Sequence, residues 1–439
     1  MNWAIPPCWA WTTFGEISEV VGGGTPKTAE SRYWEGGTIP WITPADLSGY
    51  THKQIAHGAR FITQAGLESS SARLMPAGTV LMSSRAPVGY AVIASQPLAT
   101  NQGFKSFVLK GDLVPEYFYY FLLGNKDLLL KHASGTTFLE VSGKNAARIP
   151  VPVAPAPEQR RIVLAIEEHL SRLDAAVAAL ERVRASLPRY RATMLKAACQ
   201  GRLLEADRHA DQAADVPNGW TIASLAGLKK RSLYGPRFSS DLYSDEGPLV
   251  LRTTDISDGG KVNLQTAPRI RIDADGLERY RVRRGDLLFT RTGSLGTVAL
   301  FDDNVAAIPG AYLIQYSIAA PLTTARYILR FFQSPFGQRE LVKGGAGVGR
   351  PNLNAPAIEA IPIPIPPLDE QERILAEIDR RLSLVDAAER AVSAGLAKAK
   401  RLRQAILKRA FEGKLVPQDP NDEPASVLLE GITKSRASK

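Results

Sequence analysis

The apolar and polar positions of this chain fall into three kinds of pattern. The most extended is a seam. Ile166, Leu170, Leu173, Val177, Leu180, Arg184, Leu187 and Arg191 step alternately by four and three residues, and Ile378, Leu382, Val385, Glu389, Val392, Leu396, Ala399 and Arg403 do the same. Alternating steps of this size are the spacing of a coiled-coil seam, so the pattern predicts two long amphipathic helices. A Pro-rich run precedes each, and Glu158 or Glu370 then favours the positive end of the helix that follows. Straight over 46 residues, each would be about 69 Å long. Pro188 is expected to kink or break the first, and Gly395 weakens the second by about 1 kcal/mol relative to Ala. Two separate helices packed on their own domains would satisfy the pattern. The matched register favours an antiparallel pair, with Ile166, Leu170, Leu173, Val177 and Leu180 of one facing Ile378, Leu382, Val385, Val392 and Leu396 of the other.

The second pattern is a short apolar run. Thr79–Met82 and Asp286–Phe289 follow a Gly turn and read as buried strands. The third is aromatic. Tyr117–Leu123 and Tyr327–Phe332 read as helices whose rings fill a core and do not serve as platforms for stacking bases.

Each pattern occurs twice because the chain is a duplication. Ile149-Pro150-Val151-Pro152, Pro155 and Glu158-Gln159 recur 212 residues later as Ile361-Pro362-Ile363-Pro364, Pro367 and Glu370-Gln371. From Glu158 to Leu203, 19 of 46 positions are identical to their counterparts without a gap. Upstream the likeness is weaker and the offset drifts: Asp46 matches Asp255 at 209 and Gly78 matches Gly285 at 207. The expected fold is α+β, two mixed units separated by two long antiparallel helices in an internal pseudo-two-fold repeat. The segments are 1–157 and 216–367 for the units, 158–215 and 368–416 for the helical spacers with a linker, and 417–439 for a tail.

Composition narrows the function. With 44% apolar residues in 439, large cores can be buried, and a mostly disordered chain is excluded. No run of about 18 apolar residues predicts a membrane span. The N-terminal segment lacks the basic start of a signal peptide, and Cys8 and Cys199 cannot build a disulfide framework. A reducing cytoplasm is the expected compartment. The net charge of +10, of which residues 216–367 carry +5, suggests a polyanionic partner such as nucleic acid.

Catalytic constellations are missing. The Pro-Pro pairs Pro6-Pro7 and Pro366-Pro367 lack the neighbours that an adenine methyltransferase loop needs. The Gly-Lys pairs at Gly143, Gly260 and Gly413 are followed by Asn145, Val262 and Leu415, not Ser or Thr, so no phosphate loop is formed. Gly345–Gly349 follows an expected helix where a dinucleotide site needs a strand. His52 and His57 lie in a loop without a third metal ligand, and Ser83-Ser84 lacks the frame of a nucleophile. Neither a catalytic nor a metal site is expected.

Two variable units, each followed by Pro-x-x-Glu-Gln-x-x-Ile (Pro155–Ile162 and Pro367–Ile374) and a long helix, resemble the specificity subunits of type I restriction–modification enzymes. The first unit is also similar to a family of target recognition domains in Gly23-Gly24-Thr25-Pro26, Ile39–Ile42, Ser84–Gly89 and Thr100–Phe104; the second carries Thr290–Gly296 and Arg350–Asn354. The resemblance implies a non-catalytic chain whose two domains each read half of a split site in double-stranded DNA. The helices would set the spacing and dock two modification subunits. S-adenosylmethionine, ATP and magnesium would belong to those subunits and to restriction subunits, not to this chain. A scaffold that binds a protein partner, and an enzyme with an unfamiliar site, are the alternatives.

Candidate DNA contacts follow from side-chain chemistry. Arg85 and Arg291 sit in Gly-rich loops after the buried strands and read as equivalent. A guanidinium there can hold guanine O6 and N7, bind phosphate, or serve an internal salt bridge. Asn101 and Gln102 could pair with adenine, or form a turn. Lys27, Lys144 and Arg350 fit phosphate contacts, which position without specifying. Arg252 and Asn352 join the set. Arg279, Arg281, Arg283 and Arg284 alternate as on an exposed strand face.

Overall fold

In the computed structural model, which describes residues 3–85, 87–135, 139–204, 217–257, 259–291, 296–344 and 352–437, the short apolar runs are strands buried on both faces. In Val80–Ser83, Val80 and Met82 join one core with Phe107, Phe118 and Phe121, while Leu81 joins another with Ile42, Leu47 and Phe104. In Leu287–Thr290, Leu287 and Phe289 pack with Ile314, Phe331 and Phe332, while Leu288 packs with Leu251 and Leu313. Successive side chains of a strand face opposite ways, so a strand covered on both sides needs an unbroken apolar run. The aromatic helices are Pro115–Gly124 and Leu322–Gln333. Their rings form the cover, and truncating one such ring, for example Phe332 to Ala, should cost about 3–5 kcal/mol.

The chain divides into two units, Met1–Ala179 with Ala394–Lys439, and Leu180–Ser393. They share one topology. The first has a sheet in the order Ser18–Gly22, Phe104–Leu109, Val80–Ser83, Ala91–Ala94, Gln54–Ile55, and a small sheet of Arg60–Ile62, Ile39–Ile42 and Ala99–Thr100. The second repeats four of these five strands as Lys229–Tyr234, Leu313–Ile318, Leu287–Thr290, Val298–Leu300, with no counterpart of Gln54–Ile55 among the described residues, and the small sheet as Arg269–Ile270, Tyr243–Leu251, Ala307–Pro309. In each small sheet the central strand pairs antiparallel on one side and parallel on the other. The drifting offsets upstream therefore reflect loop lengths, not a change of architecture. Asp46 and Asp255 confirm the alignment: each accepts the backbone N–H three residues before it, from Thr43 at 2.7 Å and Arg252 at 2.9 Å.

The long helices are Ala156–Cys199 and Leu368–Phe411, each of 44 residues. Of the expected kink or break at Pro188, the break does not occur: Pro188 lies inside the first helix without ending it. Ile166, Leu170, Leu187, Ile378, Val385 and Val392 are buried; Leu173, Val177, Leu180, Leu382 and Leu396 are half-buried. In the first unit Arg403 pairs with Asp174, and Gln418, just past the second helix, reaches Glu158 at 2.7 Å. In the second unit Arg191 pairs with Asp386 at 2.9 Å, while Ile378 shares a core with Ala198. Within each unit the segments thus run antiparallel. Asp174 and Asp386 are counterparts in the repeat, as are Arg191 and Arg403, so one ion pair is made twice. Exposed pairs of this kind are worth only about 0.2–1 kcal/mol. They select register, and the apolar seam supplies the stability.

The recurring Glu-Gln has a structural explanation. Glu158 and Glu370 are buried, and each accepts an indole N–H at 3.0 Å, from Trp9 and Trp220. Gln159 and Gln371 each donate from Nε2 to the backbone carbonyl five residues earlier, at 2.8 Å. The same indoles meet Tyr117 and Tyr327 edge-on. Beside them, Ala10–Thr13 pairs with Pro150–Val153, and Thr221–Ala223 with Ile363–Ile365. Each unit is fixed to the start of its helix by this carboxylate, indole and strand pair. Residues 417–439, expected as a tail, include helix Ala425–Ala437, with Ala425 and Ile432 buried and Ala425 N–H bonded to Cys8 O at 2.9 Å. Most of the expected linker, from residue 205 through 215, lies outside the described residues.

Burial pushes the Glu158 carboxyl above its ordinary value of 4.5, against the hydrogen bonds from Trp9 and Gln418. A folded-state pKa above the unfolded one means that stability is present below pH 4.5 and declines as the pH rises through the raised value. Thermal melts of the whole chain should show this decline, and Glu158→Gln should flatten it. An identical slope in the variant would assign the effect to another group.

Candidate nucleic-acid interface

In each unit several strands end at one edge of the sheet. In the first, Gly22 and Met82 both stand opposite Lys105, and Ser83 stands opposite Phe104. Asn101 N–H bonds Ile42 O at 2.9 Å, and Gly24 N–H bonds Thr100 O at 2.9 Å. The loops after Gly22, Ser83 and Thr100 are thereby drawn together. A side chain on Gly23 would meet Asn101 O at 1.9 Å, and one on Gly24 would meet Ala72 N at 2.3 Å. The Gly-Gly pair is therefore required by close backbone approach. In the second unit Tyr234 stands opposite Ile314 and Thr290 opposite Leu313, and Gly235 approaches Gly310 as closely.

This edge gathers most of the candidate residues of the first unit. Arg85 is half-buried after the strand, and its backbone bridges to Glu140. Among the described residues its guanidinium makes no hydrogen bond or ion pair. Asn101 accepts Gly103 N–H at 2.9 Å, the turn-forming role, and Gln102 accepts the Thr25 hydroxyl at 2.5 Å. Lys27 is exposed in the adjoining loop. Lys144 is exposed on helix Gly143–Ala147, shortly after Val141, whose N–H bonds Ser84 O at 2.9 Å.

Arg291 is not the counterpart of Arg85. Thr290 and Ser83 each receive a backbone N–H on the hydroxyl, from Thr297 at 3.0 Å and Tyr90 at 2.9 Å. Arg291 therefore matches Ser84, as its N–H bond to Tyr312 O also shows beside that of Ser84 to Gly103 O. The position that matches Arg85 is Thr292, which with Gly293, Ser294 and Leu295 lies outside the described residues, as do Gly345–Gly349, Arg350 and Pro351. Arg291 instead lays its guanidinium over Tyr234, 4.6 Å from the ring centroid, with a buried Nε that has no partner. Asn352 is exposed beside it, since Leu353 N–H bonds Arg291 O at 3.1 Å.

Arg252 is committed internally. It holds the fully buried Asp255 through Nε at 3.0 Å and one terminal nitrogen at 2.8 Å, and donates to Thr266 O at 2.6 Å. Burial opposes ionisation of Asp255, but the bonds from Arg252 and Thr266 outweigh it and hold the carboxyl below its ordinary value. The basic run is not a strand. Arg279 ends helix Ala274–Tyr280, which Asp273 caps through Gly276 N–H at 2.7 Å; Arg281, Arg283 and Arg284 follow in the turn around buried Val282. Arg283 pairs with Glu278, and Arg284 with Asp302 at 2.7 Å.

Two features of the edge went unnoticed in the sequence. Lys105 is buried in strand Phe104–Leu109, 3.6 Å from Glu140 and 3.4 Å from the Ser84 hydroxyl. Burial pulls its pKa below the ordinary value against the attraction of Glu140. Its signal was a lysine in a strand that is otherwise apolar but for Ser106. In the small sheet, Arg60 stacks over Trp34 at 3.6 Å. Both units thus place a cation behind the loop that follows the central strand, Lys105 in one and Arg291 in the other. A positive, glycine-lined edge can approach a polyanion closely and offer side-chain donors to it. Among the described residues no cluster of three His, Cys, Asp or Glu could hold a metal ion, and no helix is long and apolar enough to cross a membrane.

Comparison with known proteins decides the family. The type I restriction modification DNA specificity domain matches residues 7–187 and 251–389, one segment in each copy of the repeat. The chain belongs to this family. Among specificity subunits of type I restriction enzymes, it is 26% identical to EcoBI from Escherichia coli over 78% of this chain and 77% of the relative, and 22% identical to StySPI from Salmonella potsdam over 99% and 96%. MjaIX from Methanocaldococcus jannaschii is 43% identical over 36% of this chain and 37% of the relative. The HsdS subunit from Thermoanaerobacter tengcongensis superposes with a TM-score of 0.62 at 22% identity, covering 94% of this chain and 99% of that one. A chain from a type I restriction–modification assembly gives 0.69 at 22%, over 94% and 100%. These two share the fold.

Arg252→Ala should destabilise the second unit by about 3–5 kcal/mol, because it leaves a buried carboxylate without its main partner. Denaturant unfolding measures this. A variant as stable as the parent but weaker on DNA would make Arg252 a contact residue instead.

Proposed function

We propose that this chain is the DNA-recognition subunit of a type I restriction–modification enzyme, working in the cytoplasm without chemistry of its own. Each unit reads one half of a split target in double-stranded DNA, and the bases between the halves go unread. The observation that carries this reading is the repeated loop edge, positive and glycine-lined in both units of a member of the specificity-domain family. Arg85, Gln102 and Lys27 supply donors in the first unit; Arg291 and Asn352 do so in the second. A guanidinium in such a loop fits guanine O6 and N7 with two hydrogen bonds, worth about 1–3 kcal/mol of discrimination. Lys27 and Lys144 bind phosphates and so fix position. Two modification subunits bring S-adenosylmethionine to adenines in the half-sites, and restriction subunits use ATP and magnesium to translocate and cut.

Sequencing the methylated sites of a host that carries the assembled enzyme tests this. Exchanging residues 216–367 for the matching unit of another family member should change one half-site and spare the other. A change in both would show that the units are not independent readers. Inserting four residues at Ala178–Ala179 adds about 6 Å of helix, against about 3.4 Å for each base pair. The unread spacer should lengthen by about one to two base pairs while the half-sites stay the same. Methylation at the original spacing would mean that the helices do not measure distance.

A further inference from the structure

The end of the first long helix borders a cavity of about 620 Å³ in the second unit, lined by Lys196, Cys199, Ile222, Phe336 and Arg339 among others. The repeat places a second cavity in the first unit. Lys408 and Phe411, the counterparts of Lys196 and Cys199, line it, and its volume is about 430 Å³. The position is the same and the filling differs. Phe411 packs edge-on against Tyr117 and Phe121, at 5.0 and 5.3 Å, where the second unit has only a thiol. Trp3 also lines the smaller cavity, donates its indole N–H to Phe411 O at 2.8 Å, and packs edge-on on Trp11 at 4.9 Å.

The counterpart of Trp11 is Ile222. Trp11 stands opposite Pro152 and Ile222 opposite Pro364 in equivalent strand pairs. Among the described residues of the second unit nothing takes the place of Trp3 over it, and Ile222 is 62% exposed. Phe336 beside it is exposed as well. Lys196 and Arg339 at the rim are exposed and form no ion pair with any described residue. Exposed aliphatic and aromatic groups in a concave site mark a place for a ligand or partner, and an unpaired cationic rim selects acidic neighbours.

We propose that this cavity is a docking site for an aromatic side chain carried on an acidic segment of a partner subunit, seated as Trp3 is seated in the first unit. The proposal rests on the reading of the chain as one subunit of a larger enzyme. The test uses the full chain with Ile222→Asp and Arg339→Glu, both at exposed positions. Co-expressed with modification subunits, the double variant should bind one of two partner copies at least about tenfold more weakly by native mass spectrometry, with unchanged melting and duplex binding. Indole-3-acetate, which joins an indole to a carboxylate, should bind in the cavity of the wild type and not of the variant. A variant that holds both partner copies as the wild type does overturns the proposal, as does failure of indole-3-acetate to bind the wild-type cavity. A wild type that takes up indole-3-acetate there but recruits no modification subunit supports the site and overturns the assembly reading on which it rests.

Discussion

A carboxylate buried at the first turn of each long helix, together with the indole that donates to it, is the contact on which the rest of this structure depends. Glu158 and Trp9, and Glu370 and Trp220, form it with the same atoms and the same 3.0 Å separation. An ionisable group without access to water is costly unless it is hydrogen-bonded. The position therefore constrains several elements at once: the entering strand that carries the indole, the Pro-rich strand beside it, and the glutamine that closes the helix start. Loops at the far edge of the sheet can vary in length and composition because this junction does not pass through them. The offsets behave accordingly, 212 at Glu158 and Glu370 and 211 at Trp9 and Trp220, against 207 and 209 toward the loops.

The helices and the buried strands were legible because each has a strict periodicity. The seam positions repeat with the helix, and Val80–Met82 and Leu287–Phe289 are unbroken apolar runs because both faces are covered. The role of Glu158 was read only in part. Its place at a helix start was evident, but its partner lies 149 residues away in sequence, and no local pattern points to Trp9. Pro188 misled in the opposite sense: a proline removes one hydrogen bond from a helix, and this helix runs on through that loss to Cys199.

The edge loops were the least legible. Arg85 and Arg291 look equivalent because each follows an apolar strand in a Gly-containing loop, yet hydrogen bonds to Ser83 and Thr290 set them one position apart. One position in extended chain reverses the side on which a residue lies. The cation of Arg291 consequently returns toward Tyr234, into the region that Lys105 serves in the other unit. The run Arg279–Arg284 alternates in sequence as a strand would, but an Asp273 cap makes its first part helical. Turn chemistry outweighed alternation there.

The ion pair that joins the helix segments has a consequence for the history of the chain. Asp174 meets Arg403 in one unit, and Arg191 meets Asp386 in the other, so each repeat contributes one acid and receives one base. A surface with both members of such a pair is self-complementary, as the contact surface of a two-fold homodimer is. Two identical half-length chains would satisfy each other through it without any further substitution. Fusion of a duplicated gene then needs to supply only a connection, and the two recognition edges are released to diverge separately.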